Sequence, residues 1–111
     1  FFVQSDASGH SVGCCLGQWD EDGNEHPVAY ASQKLSTTQQ AWAVIIRESY
    51  AVMWGLQKFR DIIFGSQVTV FVDHNKLVFL AENAPKSAEL MRWLLAIQEF
   101  NVEIVDKRGV G

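Results

Sequence analysis

The stretch STTQQAWAVIIRESYAVMWGLQKFRDIIFG, residues 36–65, decides how the rest of the chain is arranged. It opens Ser-Thr-Thr-Gln, a serine followed three residues later by glutamine, which is the spacing of a capping box. A helical apolar pattern runs from there to Phe59 or Asp61, and Gly65 stands beyond its end. The spacing predicts one long helix. Before it lie three β-like segments, FFVQSD (1–6), SVGCCLGQW (11–19) and HPVAYASQKL (26–35). The Asp-Glu-Asp-Gly-Asn cluster at 20–24 is a strong turn signal. Pro27 stands at a strand start, where a missing N–H is tolerated. Short links between the three segments predict an antiparallel meander. After the helix, SQVTVFVDH (66–74) reads as a strand by alternation and valine content. The helix is then a crossover. It carries the fourth strand back beside the first, parallel to it, and such connections are right-handed.

The remainder completes the pattern. NKLVFLAEN (75–83) reads as a short helix, and Pro85 and Ser87 introduce a further helix, AELMRWLLAIQEF (88–100). NVEIV (101–105) is a fifth strand and DKRGVG (106–111) a loop. The order β-β-β-α-β-α-α-β predicts an α/β protein with a mixed five-stranded sheet and helices packed on it. The chain of 111 residues is one domain, residues 1–111, and its 48% hydrophobic content is enough for a core. No apolar run reaches the ~18 residues of a membrane span, and no secretory signal is visible. The chain begins with Phe, already in strand-like sequence, which suggests a segment of a longer protein.

Charge and cysteines narrow the function. A net charge of −4 argues against a stand-alone nucleic-acid binder, whose affinity rests on phosphate contacts. It leaves room for a catalytic module held in place by a larger basic assembly. Cys14 and Cys15, the two cysteines, are adjacent, so in a strand they point to opposite faces and neither bridge nor chelate. Two reduced thiols and an intracellular parent follow.

Glu48 is the most informative residue. At about 100° per residue, its neighbours within about 60° on the wheel are Ala41, Val44, Ile45, Ala51, Val52, Gly55, Phe59 and Ile62. All are apolar or glycine, so a carboxylate stands in the stripe that should pack on the sheet. An unpaired buried carboxylate costs several kcal/mol. It needs a cation, a donor network or a metal. No Arg or Lys lies three or four residues away, so a salt bridge within the helix is not available. That shifts weight toward a metal, with an Arg or Lys from elsewhere as the plain alternative. Trp42, Ile46, Tyr50, Met53 and Trp54 lie on the opposite face. They are expected to pack against the 88–99 helix; the alternative is a surface for a neighbouring domain.

Asp6 alone reads as a turn residue. Asp73, however, ends the fourth strand as Asp6 ends the first. If those strands are parallel neighbours, both aspartates lie at one sheet edge, where ligands bind in α/β sheets. Glu48 lies on the helix above. Three converging carboxylates with no Cys or His favour Mg²⁺, with Mn²⁺ as the alternative. Carboxylate-held Mg²⁺ suits phosphoryl transfer and nucleases.

SDASG (5–9), PVAYASQKL (27–35), RESYAVMWGLQKFRDIIFG (47–65), FVDHNKL (71–77) and LMRWLLAIQEFNVEI (90–104) together resemble the ribonuclease H domain of gypsy-type LTR retrotransposons. The resemblance covers nearly the whole chain. It implies a ribonuclease H-like fold and hydrolysis of the RNA strand of RNA–DNA hybrids, leaving a 3′-hydroxyl and a 5′-phosphate. It also implies a reverse transcriptase upstream and an integrase downstream in one pol polyprotein, and an intracellular retrotransposon particle. Residue by residue, Asp6 matches the aspartate that bridges two metals, and Glu48 and Asp73 match carboxylates at the metal beside the leaving group. His74 is expected to be structural, Lys34 solvated, and His10 and His26 without a role. Family members continue with a last helix whose aspartate in Ala-Asp-x-Leu-Ser-Arg is a fourth ligand. This sequence stops before that helix, and Asp106 lies too early to replace it, so it is expected to be a solvated strand-end residue. The resemblance therefore implies a weak or inactive fragment. A non-catalytic domain that packs on a reverse transcriptase through the aromatic face is the rival reading.

Overall fold

A computed structural model describes residues 1–106. Five strands, β1 (Phe2–Ala7), β2 (Ser11–Trp19), β3 (Glu25–Lys34), β4 (Gln67–Val72) and β5 (Asn101–Asp106), form one sheet in the order β3-β2-β1-β4-β5. β1–β2 and β2–β3 pair antiparallel, whereas β1–β4 and β4–β5 pair parallel. The meander and the crossover expected from the sequence are both present. Val3, Cys14, Leu16, Val68, Val70 and Val72 point to one face and are buried. Their alternation with Gln4, Cys15 and Thr69 is the period of a sheet with a single helical layer.

The long helix is a correction. The segment folds as α1 (Thr37–Gln40), α2 (Val44–Lys58) and α3 (Arg60–Ile63). The capping box forms: Ser36 Oγ accepts from Gln39 N–H, and Gln39 Oε1 accepts from Ser36 N–H. The helix nonetheless stops after one turn. Ala43 is extended, with φ −60° and ψ 151°. The Arg47 guanidinium bridges the break, donating from Nη1 to the carbonyls of Gln40 (3.1 Å) and Trp42 (2.6 Å). A side chain thus satisfies carbonyls that a continuous helix would have satisfied itself. Ala41 and Ile62 consequently leave the face of Glu48, and Val44 and Ile62 are exposed. The buried stripe of α2 shortens to Ser49, Ala51, Val52, Met53, Gly55 and Leu56. A Cβ on Gly55 would lie 2.4 Å from Cys14 Sγ, so glycine there permits the close approach of α2 to β2.

Two further helices, α4 (His74–Asn83) and α5 (Ala88–Gln98), lie on the same side of the sheet as α2. Strand β4 ends earlier than expected. Asp73 is the N-cap of α4 and His74 is already helical. Ser87 caps α5 through a bond from Leu90 N–H. Trp42 and Tyr50 pack on Trp93 of α5, with ring centroids 5.4–5.5 Å apart. Trp54 departs from the expected packing on α5 and donates from Nε1 to Gln33 Oε1 on β3, at 2.8 Å. Cys14 is buried and burial pushes its thiol up to about 12, so it stays neutral. Asp106 is paired in β5 with Val72 and is half-buried, not solvated. The rest of the loop expected at 106–111 lies outside the described residues. Among the described residues, no helix is long and apolar enough to cross a membrane.

Candidate metal centre

Strand register sets two of the three carboxylate-bearing positions level. Phe2 pairs with Thr69, Val3 with Val70 and Gln4 with Phe71. Continued by two residues, that register sets Asp6 level with Asp73 at the C-terminal end of β4. Asp6 has the parity of Phe2 and Gln4, so it belongs to the sheet face opposite α2, whereas Asp73 lies one residue past β4. Asp6, expected at the end of the first strand, is followed in it by one more residue. It lies inside β1, paired with Gly13, and is exposed. Its Oδ1 accepts from Ala7 N–H at 2.9 Å. Asp73 has a second task, since its Oδ1 accepts from Asn75 N–H at 2.9 Å and caps α4. Asp73 is therefore the single residue between the end of β4 and the start of α4.

Gln4, Asp6, Gly13, Cys15 and Tyr30 line a shallow depression on this face. A Cβ on Gly13 would lie 2.9 Å from the Tyr30 hydroxyl, so glycine leaves room for that ring beside Asp6. Tyr30 is itself highly exposed.

Glu48 behaves differently. Its carboxylate is paired with the Lys76 ammonium in the first turn of α4. Both side chains are about a quarter exposed, at 24% and 25%. Among the described residues, no three His, Cys, Asp or Glu side chains are gathered as a metal cage. The expected convergence is thus not reproduced at the side-chain level: Asp6 and Asp73 are level, and Glu48 is turned to a lysine. The pairing is the plain alternative expected for Glu48, a lysine from outside its own helix, although the sequence did not single out Lys76. A signal existed, because Lys76 lies three residues after Asp73 and so returns to the same end of the sheet. The donor chemistry fits a hard divalent cation, being oxygen throughout. In position, Asp6 and Asp73 stand level by register, whereas Glu48 on α2 is held by Lys76 of α4.

The other singled-out residues lie elsewhere. His74 is the exposed first residue of α4 and Lys34 is exposed at the end of β3. His10 is in the β1–β2 connection, where its backbone carbonyl accepts from Leu35 N–H. His26 Nε2 lies 2.7 Å from Asp20 Oδ2 across the β2–β3 turn.

The model of the RNase H-like domain found in reverse transcriptase matches residues 1–100. The chain belongs to that family. It is 36% identical over 98% of its length to the Pol polyprotein of the transposon opus of Drosophila melanogaster, and 29% identical over 98% to that of the transposon gypsy. It spans only about a tenth of those relatives, 11% and 10% respectively. Among solved structures, it resembles a foamy viral protease–reverse transcriptase in complex with an RNA/DNA hybrid. The TM-score is 0.70 at 19% identity, over 95% of this chain and 15% of that one. It also resembles ribonuclease H1 of Halobacterium salinarum, with TM-score 0.55 and 16% identity, over 97% of this chain and 86% of that one. These structural likenesses establish the ribonuclease H-like fold.

Proposed function

We propose that this RNase H-like domain is the Mg²⁺-dependent endonuclease module of a retrotransposon pol polyprotein, hydrolysing the RNA strand of RNA–DNA hybrids during reverse transcription. The observation that carries the reading is the parallel β1–β4 register, which sets Asp6 level with Asp73. Asp6, Asp73 and Glu48 would hold the metal. When bound, Mg²⁺ activates water and stabilises the leaving oxygen of the phosphodiester. The chain's own residues hold those ligands in place. β1 fixes Asp6 between two paired neighbours, and the α4 cap fixes Asp73. Asp6, Glu48 and Asp73 match three of the four carboxylates that the resemblance implies. In the proposed setting, a reverse transcriptase upstream and an integrase downstream share the polyprotein, inside an intracellular particle. The packing of Trp42 and Tyr50 on Trp93 supports the catalytic reading over a docking module, because those rings are engaged within the domain.

Cleavage of a fluorescent RNA–DNA hybrid tests this. Mg²⁺-dependent product from the chain, or from a longer chain that adds the following residues of its polyprotein, should fall to background in Asp6→Asn. The replacement amide oxygen can still accept from Ala7 N–H, so stability should change by no more than about 0.5 kcal/mol. Activity that survives Asp6→Asn would falsify the site.

A further inference from the structure

One aromatic ring on the open sheet face is left out of the packing. Phe2, Trp19 and Phe71 pack on one another there, with ring centroids 4.8–6.0 Å apart, and Phe2 and Phe71 are buried. Tyr30 shares that face, because its strand partner Cys15 is also the partner of Gln4. Yet Tyr30 is 71% exposed. Among the described residues its ring stacks on no other and its hydroxyl makes no hydrogen bond. The ring lies against Gly13, with the hydroxyl oxygen 2.9 Å from where a Cβ would stand. Gly13 is the β2 partner of Asp6. Strands are about 4.8 Å apart in that direction, so the hydroxyl stands in the row of Asp6, one strand across.

We propose that Tyr30 is a substrate-binding residue for the RNA strand, its hydroxyl meeting a ribose 2′-hydroxyl beside Asp6. The inference deepens the endonuclease reading above and rests on it. The depression here is walled by polar groups, Gln4, Asp6 and Tyr30, around the bare backbone of Gly13. That lining suits a hydrated sugar better than an apolar partner. A carboxylate repels phosphate, so a neutral group beside Asp6 is matched to the sugar of the strand and not to its phosphates. The phenolic hydroxyl both donates and accepts, and so does a 2′-hydroxyl. Deoxyribose lacks that group, so this contact tells RNA from DNA. Glycine at position 13 is part of the device. A side chain there would push the hydroxyl out of the Asp6 row.

Fluorescence anisotropy tests this, with an RNA–DNA hybrid and a DNA duplex of the same sequence as probes, in chelator so that nothing is cleaved. The parent chain should favour the hybrid. Tyr30→Phe should cut that preference about threefold to tenfold, the worth of one hydrogen bond, and leave duplex affinity unchanged. Tyr30→Ala should cut it at least as far. Both variants should melt at the parent's temperature, since the side chain is exposed. Gly13→Ala should displace the hydroxyl and lower the preference likewise, with no further fall in a Tyr30→Phe background. A preference that both Tyr30 variants keep overturns the inference. An equal loss on the two probes does so too, because the ring would then touch any strand. So does a parent chain that does not favour the hybrid. If the Tyr30 variants keep the preference while Asp6→Asn abolishes hybrid cleavage, this inference falls and the endonuclease reading stands. Cleavage that survives Asp6→Asn, beside a preference lost in Tyr30→Phe, removes the Asp6 site and keeps the Tyr30 contact.

Discussion

Asp20 gives the residue scale a pH dependence. In the β2–β3 turn its carboxylate receives bonds from His26, from the Asn24 N–H and from the Asp22 N–H. The His26 contact leads, and these bonds hold the carboxyl below its ordinary value of 3.8. A depressed carboxyl contributes stability that is fully present above the unfolded value and is lost as pH falls through the folded one. Melting curves of the parent and of Asp20→Ala should therefore differ at pH 6 and converge as pH falls below 3.8. A gap that stays constant across that range would mean the turn draws nothing from the charge. Glu48 makes the contrasting point about legibility. Its misplaced charge on an apolar face was visible in sequence because helical geometry is local. Its partner was not, because Lys76 comes from a different element and wheel geometry says nothing about what stands across a gap. Asp6 was expected as the last residue of the first strand and lies one residue inside it, since a strand that continues to Ala7 leaves no mark in composition.

At the scale of elements, the break before α2 is the most instructive feature. The capping box at Ser36 was readable because it is a local exchange of bonds over four residues. The interruption at 41–43 was not, because its cause is a guanidinium from the next helix reaching back to the carbonyls of Gln40 and Trp42. Helical periodicity carries straight through such a point. Arg47 thus joins α1 to α2 and holds Trp42 where it meets Tyr50 and Trp93. Replacing Arg47 with Met keeps most of the aliphatic stem and removes both bonds. Charged hydrogen bonds of this kind contribute about 1.5–3 kcal/mol each when shielded, and less when half-buried. Arg47→Met should cost about 1–3 kcal/mol in urea unfolding and raise amide exchange across residues 37–43. Loss of stability without faster exchange there would place the effect elsewhere.

At the scale of the whole molecule, a single core layer between sheet and helices carries the stability. Leu56 on α2 is fully buried against that layer. Leu56→Ala should cost about 2–5 kcal/mol, a large share of the 5–15 kcal/mol typical of a domain. The check is a shift of the urea midpoint with an unchanged slope. Topology at this scale was legible because the order of elements, with a right-handed crossover, leaves few arrangements for five strands. Exact strand ends were not, since Asp73 is both a strand terminus and a helix cap and sequence does not say which role wins. The β1–β4 pairing also orders events in time. More than half of the chain separates Phe2 from Thr69, so their contact closes the largest loop in the sheet and forms late. Synthesis from the N-terminus delivers Asp6 early and Asp73 much later. A chain ended before β4 would then carry Asp6 on its meander with no Asp73 beside it, and the two positions would come level only after β4 has docked.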